Sequence, residues 1–151
     1  MWDQAGCISP HVLWTQADPH QVARDLAQHV AVLEKELPVT LGPWASRERY
    51  TAKVLGQIKG KVVETDTALL ASISESTFRP SPRNRFLWVL PADNQALEEI
   101  SPSLSTLALS GEIDVALPAQ VRTCAPGQMQ RPTLSWQQDG EDPLLALLRA
   151  S

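Results

Sequence analysis

The chain has 151 residues, a length that suits one domain with a single hydrophobic core. Hydrophobic residues make up 43% and charged residues 20%, which is typical of an ordinary soluble globular protein. The net charge of -4 argues against a general binder of nucleic acid or of anionic membranes, because a mildly acidic surface repels both.

Two cysteines, Cys7 and Cys124, are too few for a disulfide-stapled secreted scaffold, and neither lies in a CxxC or Cys/His cluster. We expect two reduced thiols, with a single bridge between them as the alternative. The first residues show neither the basic nor the apolar region of a secretory signal. No apolar run approaches the roughly 18 residues that span a bilayer. These features predict a cytoplasmic protein without membrane association.

The first elements in the chain are a short strand and a long helix. Residues 1–17 predict an ordered arm with a strand around His11 to Thr15. A helix then begins at Asp18, since Asp suits the N-cap and Pro19 the first helical position. Its apolar stripe has spacings of three and four residues and consists of Val22, Leu26, Val30, Leu33 and Leu37. Pro38 ends the helix.

Residues 46–76 fit two structures. An apolar stripe at four-residue steps, formed by Tyr50, Val54, Ile58 and Val62, favours a helix. Alternation from Tyr50 to Ile58 and a Lys59-Gly60 turn favour a hairpin instead, and each glycine inside a helix would cost about 1 kcal/mol. We predict helices over Ser46 to Ile58 and over Asp66 to Ile73, and we leave the residues between them open.

The strongest short apolar run is Phe86 to Leu90, closed by Pro91. Five apolar residues between turn signals favour a strand buried on both faces. The loop before it contains Arg79, Arg83 and Arg85. Three arginines therefore lie at the N-terminal end of a strand that the hydrophobic core holds in place. After it, Asp93 to Ile100 predicts a short helix. Further strands are predicted at Leu104–Leu109, Ile113–Leu117 and Val121–Cys124, the first two as a hairpin around Gly111.

The predicted fold is α+β, with an N-terminal helical layer packed on a small, mainly antiparallel sheet that contains Phe86 to Leu90. Residues 1–124 are expected to form a single globular domain. Residues 125–151 are expected to form an extended, partly flexible tail that ends in a short leucine-rich helix.

No catalytic signature is present. The sequence lacks HExxH, GxSxG, Walker and GxGxxG motifs, and its histidines (His11, His20 and His29) form no pair at metal-ligand spacing. Nothing specific supports an enzyme, a cofactor or a metal site. We therefore predict a non-catalytic protein without a cofactor.

Basic residues concentrate in one part of the chain, since eight of the thirteen lie between Arg47 and Arg85. Arginine favours carboxylate and phosphate partners because its planar fork donates two parallel hydrogen bonds. One hypothesis is therefore a site for a phosphate-bearing ligand, such as a nucleotide, a cyclic dinucleotide or a nucleic acid strand. Its candidate residues are Arg79, Arg83, Arg85, Arg47 and Arg49. The alternative is that these charges only solvate the surface.

Arg79-x-x-x-Arg83 before a strand resembles the arginine motif of PilZ-type cyclic-di-GMP receptors, whose arginines grip phosphates and guanine. The resemblance implies a cyclic dinucleotide at these two residues. A second PilZ signature, Asp/Asn-x-Ser-x-x-Gly, follows about a strand pair later in that family. At the matching distance this chain keeps only Gly111.

The leading functional hypothesis is protein interaction: an adaptor, chaperone-like factor or assembly subunit of a larger bacterial-type complex. Its partner would be another protein or a second copy of the chain. Large aromatics often anchor interfaces, and Trp2, Trp44 and Trp136 are the candidates. Near the end of the chain, Leu144, Leu147 and Leu148 share one face of a predicted helix and are expected to dock on this domain or on a partner.

Overall fold

A computed structural model describes residues 9–38, 42–112, 114 and 116–133. The chain divides into two compact units, residues 1–93 and residues 94–151. The elements of the first unit are β1 (Val12–Thr15), α1 (Pro19–Glu36), α2 (Pro43–Lys59), β2 (Gly60–Glu64), β3 (Leu69–Ile73) and β4 (Phe86–Pro91). The predicted α+β class is confirmed.

Helix α1 begins where its capping signal predicts. The Asp18 carboxylate accepts hydrogen bonds from the backbone N–H groups of His20 (3.2 Å) and Gln21 (3.3 Å). The buried face, however, is centred on Ala23 and Ala27 rather than on the predicted leucine stripe, and Leu33 is 50% exposed. Alanine side chains let the helix backbone approach the sheet closely, so the contact face lies one residue away from the stripe.

Helix α2 is confirmed over the range predicted, and it tolerates a glycine because the sheet is close. A Cβ atom at Gly56 would lie 2.9 Å from Val62 Cγ2 and 3.0 Å from the Ala71 Cβ atom. The helix predicted over Asp66 to Ile73 is wrong, since Leu69–Ile73 forms strand β3. All five residues of this strand are buried, which a central strand covered on both faces requires.

The sheet of the first unit is mixed rather than mainly antiparallel. Its strand order is β1-β4-β3-β2, with β4 parallel to both β1 and β3, and β2 antiparallel to β3. Parallel neighbours need a crossover of about a dozen residues, and residues 74–85 supply it without a helix. We call residues 74–85 the crossover.

Side chains of β4 alternate between two cores. Phe86, Trp88 and Leu90 pack with Ala52 of α2, whereas Leu87 and Val89 pack with alanines of α1. The two helices therefore cover opposite faces of the sheet. Helix α2 packs mainly on β2 and β3. The crossover packs beside it over β1 and β4, where the Phe78 ring lies 6.3 Å from that of Trp14 and Trp88 Nε1 donates to the Pro80 carbonyl.

The second unit is smaller and contains α3 (Asn94–Ile100), a 3-10 turn (Ser101–Ser103), β5 (Thr106–Ala108) and β6 (Arg122–Cys124). The predicted short helix is confirmed by α3. Strand β5 pairs in parallel with β6 and not with the hairpin partner that Gly111 suggested. Two residues of that partner strand, and the whole stretch 134–151, lie outside the described residues. The division into a domain at 1–124 and a tail at 125–151 stays a prediction.

No helix in the described ranges is long and apolar enough to cross a membrane.

Candidate functional site: a groove beside helix α2

A groove of about 540 Å³ lies between α2 and the crossover. It follows from the fold, because α2 and the crossover cover neighbouring parts of one face of the sheet and leave a gap between them. Trp88 of β4 and Ala52 lie at its floor, and both are buried. The remaining lining residues are Trp44, Arg47, Glu48, Thr51 and Leu55 from α2 and Pro80, Ser81 and Pro82 from the crossover.

Several large apolar side chains are exposed on the outer side of α2. Four large side chains are exposed to solvent, with exposed fractions of 69% for Trp44, 70% for Tyr50, 38% for Leu55 and 76% for Ile58. At 3.6 residues per turn they span an arc of about 140°. We call these four residues the α2 patch. Exposed Arg47 and Thr51 lie within the same arc, so polar residues are interspersed among the four apolar side chains. Single exposed apolar side chains are ordinary, but four on one side of a helix favour an interaction surface.

The crossover wall of the groove has an unusual backbone. Three consecutive residues adopt left-handed conformations, with φ of 67° at Arg83, 54° at Asn84 and 62° at Arg85. This region costs an L-residue roughly 1–2 kcal/mol, and least for asparagine. The Phe86 N–H closes the turn by donating to the Arg83 carbonyl at 3.1 Å. Such a turn persists only where surrounding contacts hold it.

His11 is one of those contacts. Its Nδ1 accepts a 3.0 Å hydrogen bond from the Ser81 backbone N–H, and its ring meets Phe78 edge-on at 6.3 Å. Burial lowers the pKa of His11, and the nearby charge of Arg83 lowers it further. Both effects favour the neutral ring, in which Nδ1 can accept this hydrogen bond. The sequence contained no signal for this role, because the partners are 70 residues apart.

The structure does not gather the five candidate arginines at one point. Arg47 lines the groove, Arg83 is exposed on the crossover, and Arg79 forms an ion pair with Glu75. Arg85 is buried and donates to Thr67 Oγ1 at 2.8 Å and to the Leu37 carbonyl at 2.9 Å.

Arg49 is also buried. Burial is the largest effect that lowers its pKa; the charge of Arg85 acts in the same direction, and Glu64 and Glu34 oppose it. Arg49 and Arg85 are therefore close together, whereas Arg47 and Arg83 face solvent.

A buried polar cluster that sequence reasoning missed surrounds Glu34 of α1. Its Oε1 accepts from Thr65 Oγ1 (2.6 Å), Thr67 N (2.7 Å) and Thr67 Oγ1 (2.6 Å). Burial alone would raise the pKa of Glu34, but these hydrogen bonds outweigh burial and lower it. The cluster fastens the end of α1 to the β2–β3 turn, which is a structural role.

The remaining polar groups of the described residues form no recognisable catalytic arrangement. Ser72 Oγ lies 3.3 Å from His20 Nδ1, but this serine is only 4% exposed and also donates to the Lys61 carbonyl at 3.2 Å. Within the described ranges, no three histidine, cysteine or acidic side chains are placed to hold a metal ion.

Of the predicted partner-binding residues, Trp44 lies at the groove. The others, Trp2, Trp136, Leu144, Leu147 and Leu148, fall outside the described residues.

Comparisons with known protein families, with curated proteins and with solved structures found no match to this chain.

Proposed function

We propose that the protein is a non-catalytic interaction subunit, such as an adaptor or assembly component in the cytoplasm, that binds a partner through the α2 patch and the adjoining groove. The observation that supports this most directly is the exposure of Trp44, Tyr50 and Ile58, each about 70% or more, on one helix. Covering one such side chain contributes roughly 1.5–3 kcal/mol. A partner that covers the patch therefore gains binding energy that the isolated chain leaves unused.

The charges around the groove support one chemical class of partner. Residues 42–85 contain eight basic and four acidic side chains, and two of the acids, Glu64 and Glu75, already pair with lysines. Arg47 in the groove and Arg83 next to its Pro82 wall are exposed. We infer that the partner contributes an amphipathic helix whose apolar face fills the groove and whose flanking acidic residues meet these arginines.

The test compares two double variants in affinity capture from the native host. Tyr50→Ser/Ile58→Ser removes half of the α2 patch. Val32→Ser/Leu33→Ser is the matched control, because these α1 residues are also exposed, at 59% and 50%. We expect a partner that the wild type and the control retain and that the α2 variant loses. Equal recovery by both variants, or no partner at all, contradicts the proposal.

A photo-reactive residue at position 58 then identifies the segment that docks. The proposal requires a cross-link to a segment of another protein that combines an apolar helical face with acidic residues. A cross-link to a second copy of this chain, or to a basic or extended segment, overturns the assignment of the partner.

Phosphate binding is the second candidate function. One observation favours it: Arg49 Nε is buried and has no hydrogen-bond partner among the described residues, and Arg85 lies nearby. We rank it second because Arg85 is already bonded and Arg79 is paired. A cyclic dinucleotide and a labelled oligonucleotide, titrated at low salt against wild type and Arg49→Met, test it. Binding that is absent, or that survives this substitution, removes the candidate.

A further inference from the structure

Hydrogen bonds attach the crossover wall of the groove to the sheet. Trp88 Nε1 donates to the Pro80 carbonyl at 3.3 Å, and Ser81 Oγ donates to the Phe86 carbonyl at 2.6 Å. A further hydrogen bond, from Ser81 N to His11 Nδ1, involves an imidazole, a side chain that ordinarily titrates near neutral pH. It forms only while Nδ1 carries no proton, since an imidazolium is a donor at both nitrogens.

Among the described residues around His11, no acidic side chain acts on the ring to compensate a positive charge. Strand β4, its neighbour in the sheet, carries no titratable side chain over Phe86–Pro91. On the crossover, Glu75 is paired with Arg79 and Lys59, and Arg85 reaches Thr67. On α1, His20 lies against Ser72. The charge of the described residues that acts on the ring is that of Arg83, which repels a proton there.

We propose that protonation of His11 releases the Pro80–Pro82 wall. Partner binding in the groove would then weaken under mildly acidic conditions. An Nδ1–H would face the Ser81 N–H, two donors would oppose each other, and the attachment between β1 and the wall would be lost. The binding consequence rests on the function proposed above, whereas the release of the wall does not. The device is reversible and needs no ligand.

A nuclear magnetic resonance titration of the intact chain tests the release, using the Ser81 amide and the Trp88 indole N–H as reporters. We expect both signals to shift in a single-proton transition with a midpoint below 6.5, the ordinary pKa of histidine. The His11 ring signals should titrate with the same midpoint. If the reporters do not move, or move with a different midpoint from the His11 ring, the proposal is overturned; this comparison needs no variant.

His11→Asn supplies the matched variant, because asparagine Oδ1 takes the place of Nδ1 as an acceptor and does not titrate. We expect the transition at Ser81 to vanish in this variant. The other two histidines are the controls: His29→Asn, at an exposed site, and His20→Asn should both keep it. A transition that persists in His11→Asn contradicts the switch.

The effect on binding is tested by measuring, as a function of pH, the affinity of the chain for the partner segment recovered by cross-linking at position 58. Wild-type affinity should fall by up to about tenfold for each pH unit below the pKa of His11, the limit for one proton, and His11→Asn should lose this dependence. A reporter shift without any change in affinity overturns the regulatory role and leaves the proposed function standing. Loss of binding at every pH contradicts the proposed function, and the reporter titration still decides whether the wall is released.

Discussion

The hydroxyl of Ser81 donates a 2.6 Å hydrogen bond to the carbonyl of Phe86, which ties the crossover to the first residue of β4. The same oxygen accepts from the backbone N–H of Arg83 at 3.0 Å. One buried hydroxyl thus holds the start of the left-handed turn and also its exit into the sheet. The groove wall depends on this pair, because the turn has no glycine to relieve it.

Ser81→Ala should therefore lower the free energy of unfolding by about 1–3 kcal/mol, since it removes both hydrogen bonds that the buried hydroxyl makes with Phe86 and Arg83. Urea unfolding measures the change. Ser74→Ala is the control, because Ser74 is an exposed serine of the same crossover and should change stability by less than about 0.5 kcal/mol. Equal effects of the two substitutions would show that the Ser81 hydroxyl does not hold the turn.

Arg83→Gly should raise the free energy of unfolding by up to about 1 kcal/mol. Glycine adopts a φ of 67° without strain, although its extra freedom in the unfolded chain offsets part of the gain. Arg79→Gly, at a crossover position without positive φ, should lower stability instead. Thermal unfolding of both variants decides the point, and a loss at Arg83 as large as that at Arg79 would argue against strain in the turn.

Gly60→Ala should be strongly destabilising, by about 3 kcal/mol or more, at the upper end of overpacking effects. The new Cβ would lie 2.1 Å from the backbone oxygen of Ser72, which cannot move without disturbing the β2–β3 pairing. Gly111→Ala is the control, since nothing lies within 4 Å of its Cβ position. Chemical unfolding that shows similar stabilities for the two variants would mean that β2 lies further from β3 than described.

Glu34→Gln should destabilise the fold at neutral pH by about 1–3 kcal/mol, because an amide cannot accept all three hydrogen bonds as well as the carboxylate does. The pKa of Glu34 is lowered in the folded chain, so its contribution is complete above the unfolded value near 4.5 and is lost as pH falls through the lower folded value.

The difference between wild type and Glu34→Gln in unfolding experiments should therefore shrink below about pH 4.5. Glu36→Gln, at an exposed position of the same helix, should show no comparable change. A wild-type-to-Glu34→Gln difference that stays constant from neutral to acid pH would contradict the assignment of the charged form to the buried cluster.

One residue of the candidate site is among those that the sequence singled out. Trp44 lines the groove with 69% of its surface exposed, and its place at an interface stays a prediction. Tyr50 and Ile58 belong to the apolar stripe that favours a helix over this stretch, yet they face solvent. The small residues Ala52 and Gly56 take the contact with the sheet instead, because they allow the closest approach. Spacing alone does not reveal which of two faces a helix buries when one is large and the other small.

The amino-acid sequence by itself determined local features of the secondary structure. The start of α1 follows from Asp18 and Pro19, because a cap satisfies backbone groups two or three residues away. The strand Phe86 to Leu90 follows from its own five apolar side chains. Only the tertiary structure decided the strand directions, the burial of Arg85 and the bond between His11 and Ser81. Each of these depends on groups far apart in the chain, whose hydrogen bonds and apolar contacts exist only after the sheet has assembled.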